Sequence, residues 1–537
     1  MSKLYINLTV IDGLFIVFSV AMFCAQMGTP NAELSPIVLL APYLISYYLF
    51  KILFLLNNKW TSVLLLVVIS FLCIKELFEG YYQLIINIGK KNGQEMCVGS
   101  FSNSGLYGCF LSVCSSLFIS YTTRVENRFV RLVLIFLTAL ALFLLPTTMS
   151  RASIMSFTVS MVLLALSFEK SRRFILKKWI TITLLALVLG AVAYVVKKPS
   201  ADGRILMSKI GWRIIRNNGL NGVGIGYYSG AYGEEQYKYF TELAGDGTEE
   251  LDVKNIPENM RMSADCPYYA FNIFLKTGVE AGPIAMFLLL SLNLVGIVVF
   301  FKSGNIWCYP LLSLSVFALF SYPFEISLFP FLFTAFLASD NRHKTNKYTL
   351  IVFFAILDIV IGTYYHIERN YLDEIPIRSH QLQDNMLFAS KPRRFVINAG
   401  ITKSEAIVDQ NALFDYGQVL NISGDYAKSD SLLLLGTKIS SDPMFWNVMG
   451  NNSLALGRYR EAEERYKHAF YMVPNRLYPH YLLAKLYHAE GDTVRFLDMA
   501  DKVETFIPKI ESANTEFLRS EIREIKAGYE GTIKQEN

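Results

Sequence analysis

Residues 179–196 read WITITLLALVLGAVAYVV, and KKPSADGRIL follows directly at 197–206. An uncharged run of this length crosses a hydrocarbon layer of roughly 30 Å as a helix, at about 1.5 Å per residue. The polar residues open a long interruption, Lys197–Pro267, in a chain whose first two-thirds is otherwise apolar blocks. A backbone in lipid must satisfy its own N–H and C=O groups, so such blocks predict helices. The expected class is all-α: a polytopic membrane bundle with one large outer loop.

Composition agrees, at 53% hydrophobic and 14% aromatic residues. Working outward from 179–196, the expected spans are Asp12–Met27, Ile37–Leu56, Trp60–Leu77, Phe101–Tyr121, Leu132–Thr148, Ala152–Phe168, Trp179–Val196, Pro283–Phe301, Ile306–Tyr322, Glu325–Ala338 and Tyr348–Tyr365. The Glu325 span is short and is expected to be tilted, partial or fused with its neighbour. No cleavable signal is expected, because the first span has no small-residue cleavage site and a second follows at once.

Basic residues resist translocation and mark the cytoplasmic side. The turns with Lys51 and Lys59, with Arg124, Arg128 and Arg131, with Lys170 to Lys178, and with Arg342 to Lys347 all fall on one side. About eleven spans from an inside N-terminus then place loop 197–267, and everything after His366, outside. The net charge of +5 reflects the inside turns and implies no nucleic-acid partner. Of seven cysteines, five lie in or beside apolar spans. Cys97 and Cys266 face outside, where a disulfide or two free thiols are the alternatives.

The tail is periodic. Gly424-Asp425-Tyr426, Gly457-Arg458-Tyr459 and Gly491-Asp492 recur at spacings of 33 and 34 residues, closed by Pro443, Pro474 and Pro508. Small residues (Ala455, Ala462, Ala469, Ala484, Ala500) sit where paired helices approach. This pattern resembles the tetratricopeptide repeat, three units over Ala412–Pro508 with a capping helix at Ser512–Lys526. Such a stack offers a surface to a protein partner, or serves as a spacer or oligomerisation element. The division expected is a membrane domain at 1–366, a linker at 367–410 and a repeat domain at 411–537. A catalytic membrane domain is expected to keep basal activity without the tail.

Ionisable groups at the outer membrane face point to chemistry. Arg151 opens the sixth span in Met149-Ser150-Arg151-Ala152; its plain structural role is an interfacial arginine that snorkels. Loop 197–267 adds Arg204, Trp212, Arg213 and Arg216, and a surface helix over 204–216 puts Arg204 and Trp212 about two turns apart on one face. Two guanidinium groups from separate segments would hold a diphosphate, since each binds two oxygens and never loses its proton. Ser150, Trp212, Arg216, Tyr268 and Tyr269 are the accompanying substrate-binding candidates. The Gly222–Gly226 run reads as a tight turn packed closely on its surroundings.

Ser150-Arg151-Ala152, Asp202-Gly203-Arg204 with Trp212, Gly222-Val223-Gly224-Ile225-Gly226-Tyr227, Ala270-Phe271-Asn272-Ile273-Phe274-Leu275 running into Thr277-Gly278 and Gly282, and Gly99-Ser100-Phe101-Ser102-Asn103 together resemble the O-antigen ligase family over roughly residues 1–366. The resemblance implies a glycosyltransferase of the bacterial cytoplasmic (inner) membrane, and no cofactor is expected. Its donor is a glycan on a polyprenyl (undecaprenyl) diphosphate; its acceptor is a hydroxyl of a lipid A core or of a protein Ser/Thr. One departure stands out: Phe271 occupies the position where the family usually carries His, and no histidine precedes His343. Only His366 and His380 are near enough in sequence to substitute outside.

On this reading Arg151 and Arg204 act by electrostatics, and Asp265, Tyr268, Tyr269 or Asn272 orients or deprotonates the acceptor. Asp265 also suits a plain capping role before Pro267. The outer acids are scattered and lack histidine partners, so no metal site is expected. The alternatives are a polysaccharide polymerase, or a non-catalytic scaffold or transporter for glycan assembly. A transporter would carry more mid-span charge than Asp358 alone supplies.

Overall fold

A computed structural model describes residues 9–29, 35–88, 96–196, 198–245, 251, 253–340 and 410–536. The expected last span Tyr348–Tyr365, the linker up to 409, His343, Asp358, His366 and His380 lie outside the described residues. Every regular element among the described residues is helical. The chain divides into two units. The first comprises Met1–Lys197, Gly219–Gly222 and Ala270–Glu368; the second comprises Lys198–Asn218, Val223–Tyr269 and Arg369–Asn537. Most of segment 197–267 therefore groups with the repeat helices.

The first unit contains α1 (Val10–Met27), α2 (Ser35–Ile88), α3 (Ser104–Thr122), α4 (Arg128–Leu144), α5 (Arg151–Ser167), α6 (Glu169–Lys177) and α7 (Trp179–Val196). After the loop, α11 (Ile273–Ser303), α12 (Cys308–Ala318) and α13 (Leu328–Ala338) complete it. Five helices among the described residues are long and apolar enough to cross a membrane, or six if the bent pair α5 and α6 counts as one. The chain is thus a multi-pass membrane protein. As one rod α2 would run about 80 Å, but Asn57 (φ −155°, ψ 93°) breaks it in the turn expected between two spans. At 11 residues each, α12 and α13 are shorter than the spans expected there. Between them Tyr322 (φ −120°, ψ 54°) precedes Pro323 and is non-helical, as the residue before a proline tends to be.

Serine lines the centre of this unit. The buried face of α5 is Ser153, Ser156, Ser160 and Leu164, a helical spacing, and it meets α3 and α12. Ser112 donates to the Ser153 carbonyl at 2.8 Å and Ser160 to the Tyr309 carbonyl at 2.8 Å. Small side chains let these backbones approach, which replaces the hydrophobic drive that lipid removes.

Lys51 departs from expectation. It was counted as a turn cation, yet it is buried on α2 before the Asn57 break. It pairs with Asp12 at 3.0 Å and donates to the Asp340 carbonyl, while Tyr47 donates to Asp12 at 2.7 Å. Desolvating a lysine is tolerable only with such partners, so Lys51 reports packing and not orientation.

The second unit contains α8 (Lys198–Asn217), α9 (Tyr228–Ala244) and α10 (Glu258–Ser263) with six further helices in consecutive pairs: Gln410–Ile422 with Tyr426–Ile439, Met444–Ala455 with Tyr459–Met472, and Tyr478–Glu490 with Thr493–Thr505. Ala513–Glu536 follows. Gly424, Gly457 and Gly491 turn each pair at φ of 83°, 71° and 80°. A Cβ there would meet nothing within 4 Å, so left-handed backbone and not crowding calls for glycine. Ala462, Ala469, Ala484 and Ala500 are fully buried as the period implies, whereas Ala455 is exposed.

Candidate functional site

In the first unit the nominated residues sit at helix beginnings. A 3-10 turn, Leu145–Thr148, ends at Met149 in left-handed backbone (φ 52°), which turns the chain so that Ser150 caps α5 and Arg151 is its first residue. A non-glycine residue held there is strained, and strain of this kind clusters at functional positions. The Ser150 hydroxyl accepts from the Ser153 amide at 3.3 Å and lies 2.7 Å from the Ser153 hydroxyl. Ser153 donates to the Gly105 carbonyl at 3.2 Å, and Asn103 caps α3 by accepting from the Gly105 amide at 2.6 Å. The starts of α3 and α5 are therefore neighbours, and their dipoles make the place favourable for an anion. Arg151 is half-buried beside them.

Glu76 accepts from the Ser100 amide at 3.0 Å, from the Ser100 hydroxyl, and from Lys75 at 2.9 Å. Gln83 accepts from the amides of Val98 and Gly99 and donates to the Gly99 carbonyl. Two polar side chains of α2 thus fasten the Gly99–Asn103 segment that leads into α3.

Asn272 caps α11, accepting from the amides of Phe274 and Leu275 at 3.0 Å each. Its oxygen is therefore committed to the helix start. One turn on, Lys276 meets Glu325 and lies 3.8 Å from the buried Glu280. Phe271 packs edge-on against Tyr322 with centroids 5.2 Å apart. The helix breaks at Gly282 (φ 80°, ψ 170°), where Pro283 begins the second half. A Cβ on Gly282 would stand 1.8 Å from the Leu220 carbonyl oxygen, and one on Gly222 2.6 Å from Glu280 backbone atoms. The glycine turn and the helix break interlock because both lack side chains.

Residues 204–216, expected to form a helix, lie within the longer α8 of the second unit. Its buried face is Leu206, Ile210, Gly211, Ile214 and Ile215. Ile205 (60% exposed) and Trp212 (53%) share the opposite stripe with exposed Arg216. An apolar and basic stripe of this kind suits a lipid headgroup surface. Arg204 is half-buried, about 80° round the helix from Trp212 toward the buried face. Arg213 is occupied otherwise: it bonds Glu235 at 2.7 Å and Glu242 at 2.8 Å, which raises its pKa and holds Glu242 below the ordinary carboxylate value.

Asp265 also has an assigned contact. Its carboxylate accepts from Lys509 at 3.0 Å and from the Cys266 amide at 3.0 Å. Burial pushes this carboxyl up, but the Lys509 bond and charge outweigh it and leave the pKa below its ordinary value. A carboxylate held low is a weak proton acceptor. Tyr268 and Tyr269 lie edge to face with centroids 4.5 Å apart, Tyr268 being about half exposed. Cys97 and Cys266 are both free thiols, and Cys266 accepts from Arg476 at 3.0 Å. Among the described residues no group of His, Cys, Asp and Glu is arranged to hold a metal ion.

Sequence reading missed Glu76, Gln83, Lys276, Glu280 and Glu325. The signal was available: Lys276 and Glu280 are charges four apart within an apolar run, which is costly in a membrane unless they are used.

Residues 136–290 match a family model described as O-antigen ligase. The matched stretch includes every nominated residue from Ser150 to Asn272 and none of the repeat helices. Among curated proteins none matches the chain.

Proposed function

Taking residues 136–290 as an O-antigen ligase-type domain within a multi-pass membrane protein, we propose that the chain transfers a glycan from a polyprenyl diphosphate to an acceptor hydroxyl of a lipid A core or a protein, at the outer face of the inner membrane. The observation that carries this reading is that one family match spans both Arg151 and Arg204.

The acceptor oxygen attacks the anomeric carbon as the bond to the diphosphate oxygen breaks, and the diphosphate departs with the electron pair. Arg151, at the joined starts of α3 and α5, and Arg204 neutralise that departing charge. Fixed donors aimed at developing charge are typically worth about 10²–10³ in rate. The Ile205, Trp212 and Arg216 stripe rests against lipid headgroups near the donor's own lipid. Asn272 fixes the start of α11, and Ser150 that of α5. Tyr268 and Tyr269 orient the acceptor. Asp265, held low by Lys509, serves as an anchor; a diphosphate is a good enough leaving group for the acceptor's proton to pass to interfacial water. The paired helices of the tail are of the tetratricopeptide type.

Arg151→Ala and Arg204→Ala, made separately and assayed in isolated membranes with a polyprenyl diphosphate disaccharide, are each expected to lower transfer by about 10²-fold at normal protein levels. Retained transfer in both would leave a scaffold or transporter as the better account.

A further inference from the structure

The chain from Ala264 to Tyr269 has no regular secondary structure and leads directly into the Asn272 cap of α11. Irregular backbone must find its hydrogen-bond partners elsewhere. Here they come from the repeats. Ser441 donates to the Pro267 carbonyl at 3.2 Å. Asn475 donates to the carbonyls of Arg261 and Ala264 at 2.9 and 2.8 Å. Lys509 donates to the Asp265 carboxylate at 3.0 Å and the Ala264 carbonyl at 3.3 Å. These three residues are spaced 34 and 34 positions apart, one repeat period each. They lie in the connections that follow the first, second and third helix pairs.

The loop's own helix completes the clamp. Gln236 on α9, fully buried, donates to the Asp265 carbonyl at 2.9 Å and to the Met472 carbonyl at 2.5 Å. Ser229 bonds the Pro267 carbonyl and Ser441. His468 stacks between Tyr237 and Trp446, both at 3.8 Å, with its Nε2 3.2 Å from Glu234. Gly230 leaves no room for a side chain, since a Cβ would lie 2.0 Å from the Lys438 carbonyl oxygen.

We infer that the repeat array is a built-in positioning element, in which Ser441, Asn475 and Lys509, at one repeated position, hold strap 264–269 so that Tyr268 and Tyr269 meet the acceptor. The inference rests on the transferase reading. It reverses the expectation that the tail is dispensable, because removing residues 411–537 strips the strap of most of its partners.

The test uses the full-length protein in membranes, with Asn475→Ala and, as a milder surface change, Lys509→Gln. Cys266 lies in the strap and reports its looseness through a membrane-impermeant maleimide. Both variants are expected to label Cys266 several-fold faster. With a polyprenyl diphosphate disaccharide as donor and whichever of lipid A core or a serine peptide the unaltered protein glycosylates as acceptor, the acceptor KM is expected to rise about fivefold or more while the donor KM stays unchanged. A merely structural role lowers the active fraction and leaves both KM values alone; that result, or unchanged Cys266 labelling in both variants, overturns the inference. Absence of any transfer by the unaltered protein would defeat the transferase reading itself, and the inference with it, whatever the labelling shows.

Discussion

The two units satisfy the backbone around the nominated residues in opposite ways. In the membrane unit the nominated groups are placed at helix starts, where Ser150, Asn103 and Asn272 each cap their own helix. In the loop-repeat unit a strap without helix or strand is fastened carbonyl by carbonyl by side chains distant in sequence. The first arrangement depends on packing that excludes side chains. The second depends on donors that must be supplied.

The contrast is broken most severely at Gly282. Its φ of 80° and ψ of 170° belong to a region that is essentially glycine-only, and an added Cβ would meet the Leu220 carbonyl oxygen. Gly282→Val adds backbone strain to a backbone clash and is expected to cost about 5 kcal/mol or more, seen as loss of folded protein in detergent by fluorescence-detected chromatography. Wild-type behaviour would mean that the helix break does not need the glycine turn.

Next comes the buried pair Asp12 and Lys51. Lys51→Met alone strands a carboxylate and is expected to cost about 3–5 kcal/mol, whereas Lys51→Met with Asp12→Asn, whose neutral oxygen can still accept from Tyr47, should recover most of it. Thermal unfolding of the three proteins in one detergent decides; equal losses in single and double variants would contradict a paired charge.

In the repeats, His480 is 2% exposed between Phe470 and Phe506. Burial first, then the charges of Lys502 and Arg261, pushes its pKa down to about 3. The unfolded chain therefore binds a proton below roughly pH 6.5 that the folded repeats refuse. Stability conferred by the neutral ring is full above that pH and falls progressively as the pH drops toward the folded value, by about 2–3 kcal/mol between pH 6.5 and 4.5. Urea melts of the full-length protein followed through the repeats should show this slope, and His480→Phe should flatten it.

The smallest effect is expected on the exposed helix surface. Arg460 and Glu464 pair at 3.3 Å with side chains 94% and 67% exposed, and Arg460→Ala should change stability by less than about 0.5 kcal/mol. A larger loss in the same melts would give this face a structural load that its exposure argues against.

Much of this was legible in the amino-acid order. Uncharged runs such as 179–196 fix helices, Pro283 begins the second half of the broken helix α11, and the 34-residue period yields the helix pairs with their glycine turns. These are local or periodic signals. Lys51 misled because a cation beside a turn and a cation buried against Asp12 look alike until the neighbouring helix is known. Asp265 read as a base or a cap because nothing nearby announces Lys509.

By itself the sequence determined the helical class, the membrane character, the repeat and the two arginines worth testing, since charge, apolar length and period act over a few residues. Only the tertiary structure decided that most of the loop belongs with the repeats, and that Ser441, Asn475 and Lys509 turn one repeated position onto a single strap. Hydrogen bonds join atoms close in space at about 3 Å, and no local pattern says which distant carbonyl a buried donor will find.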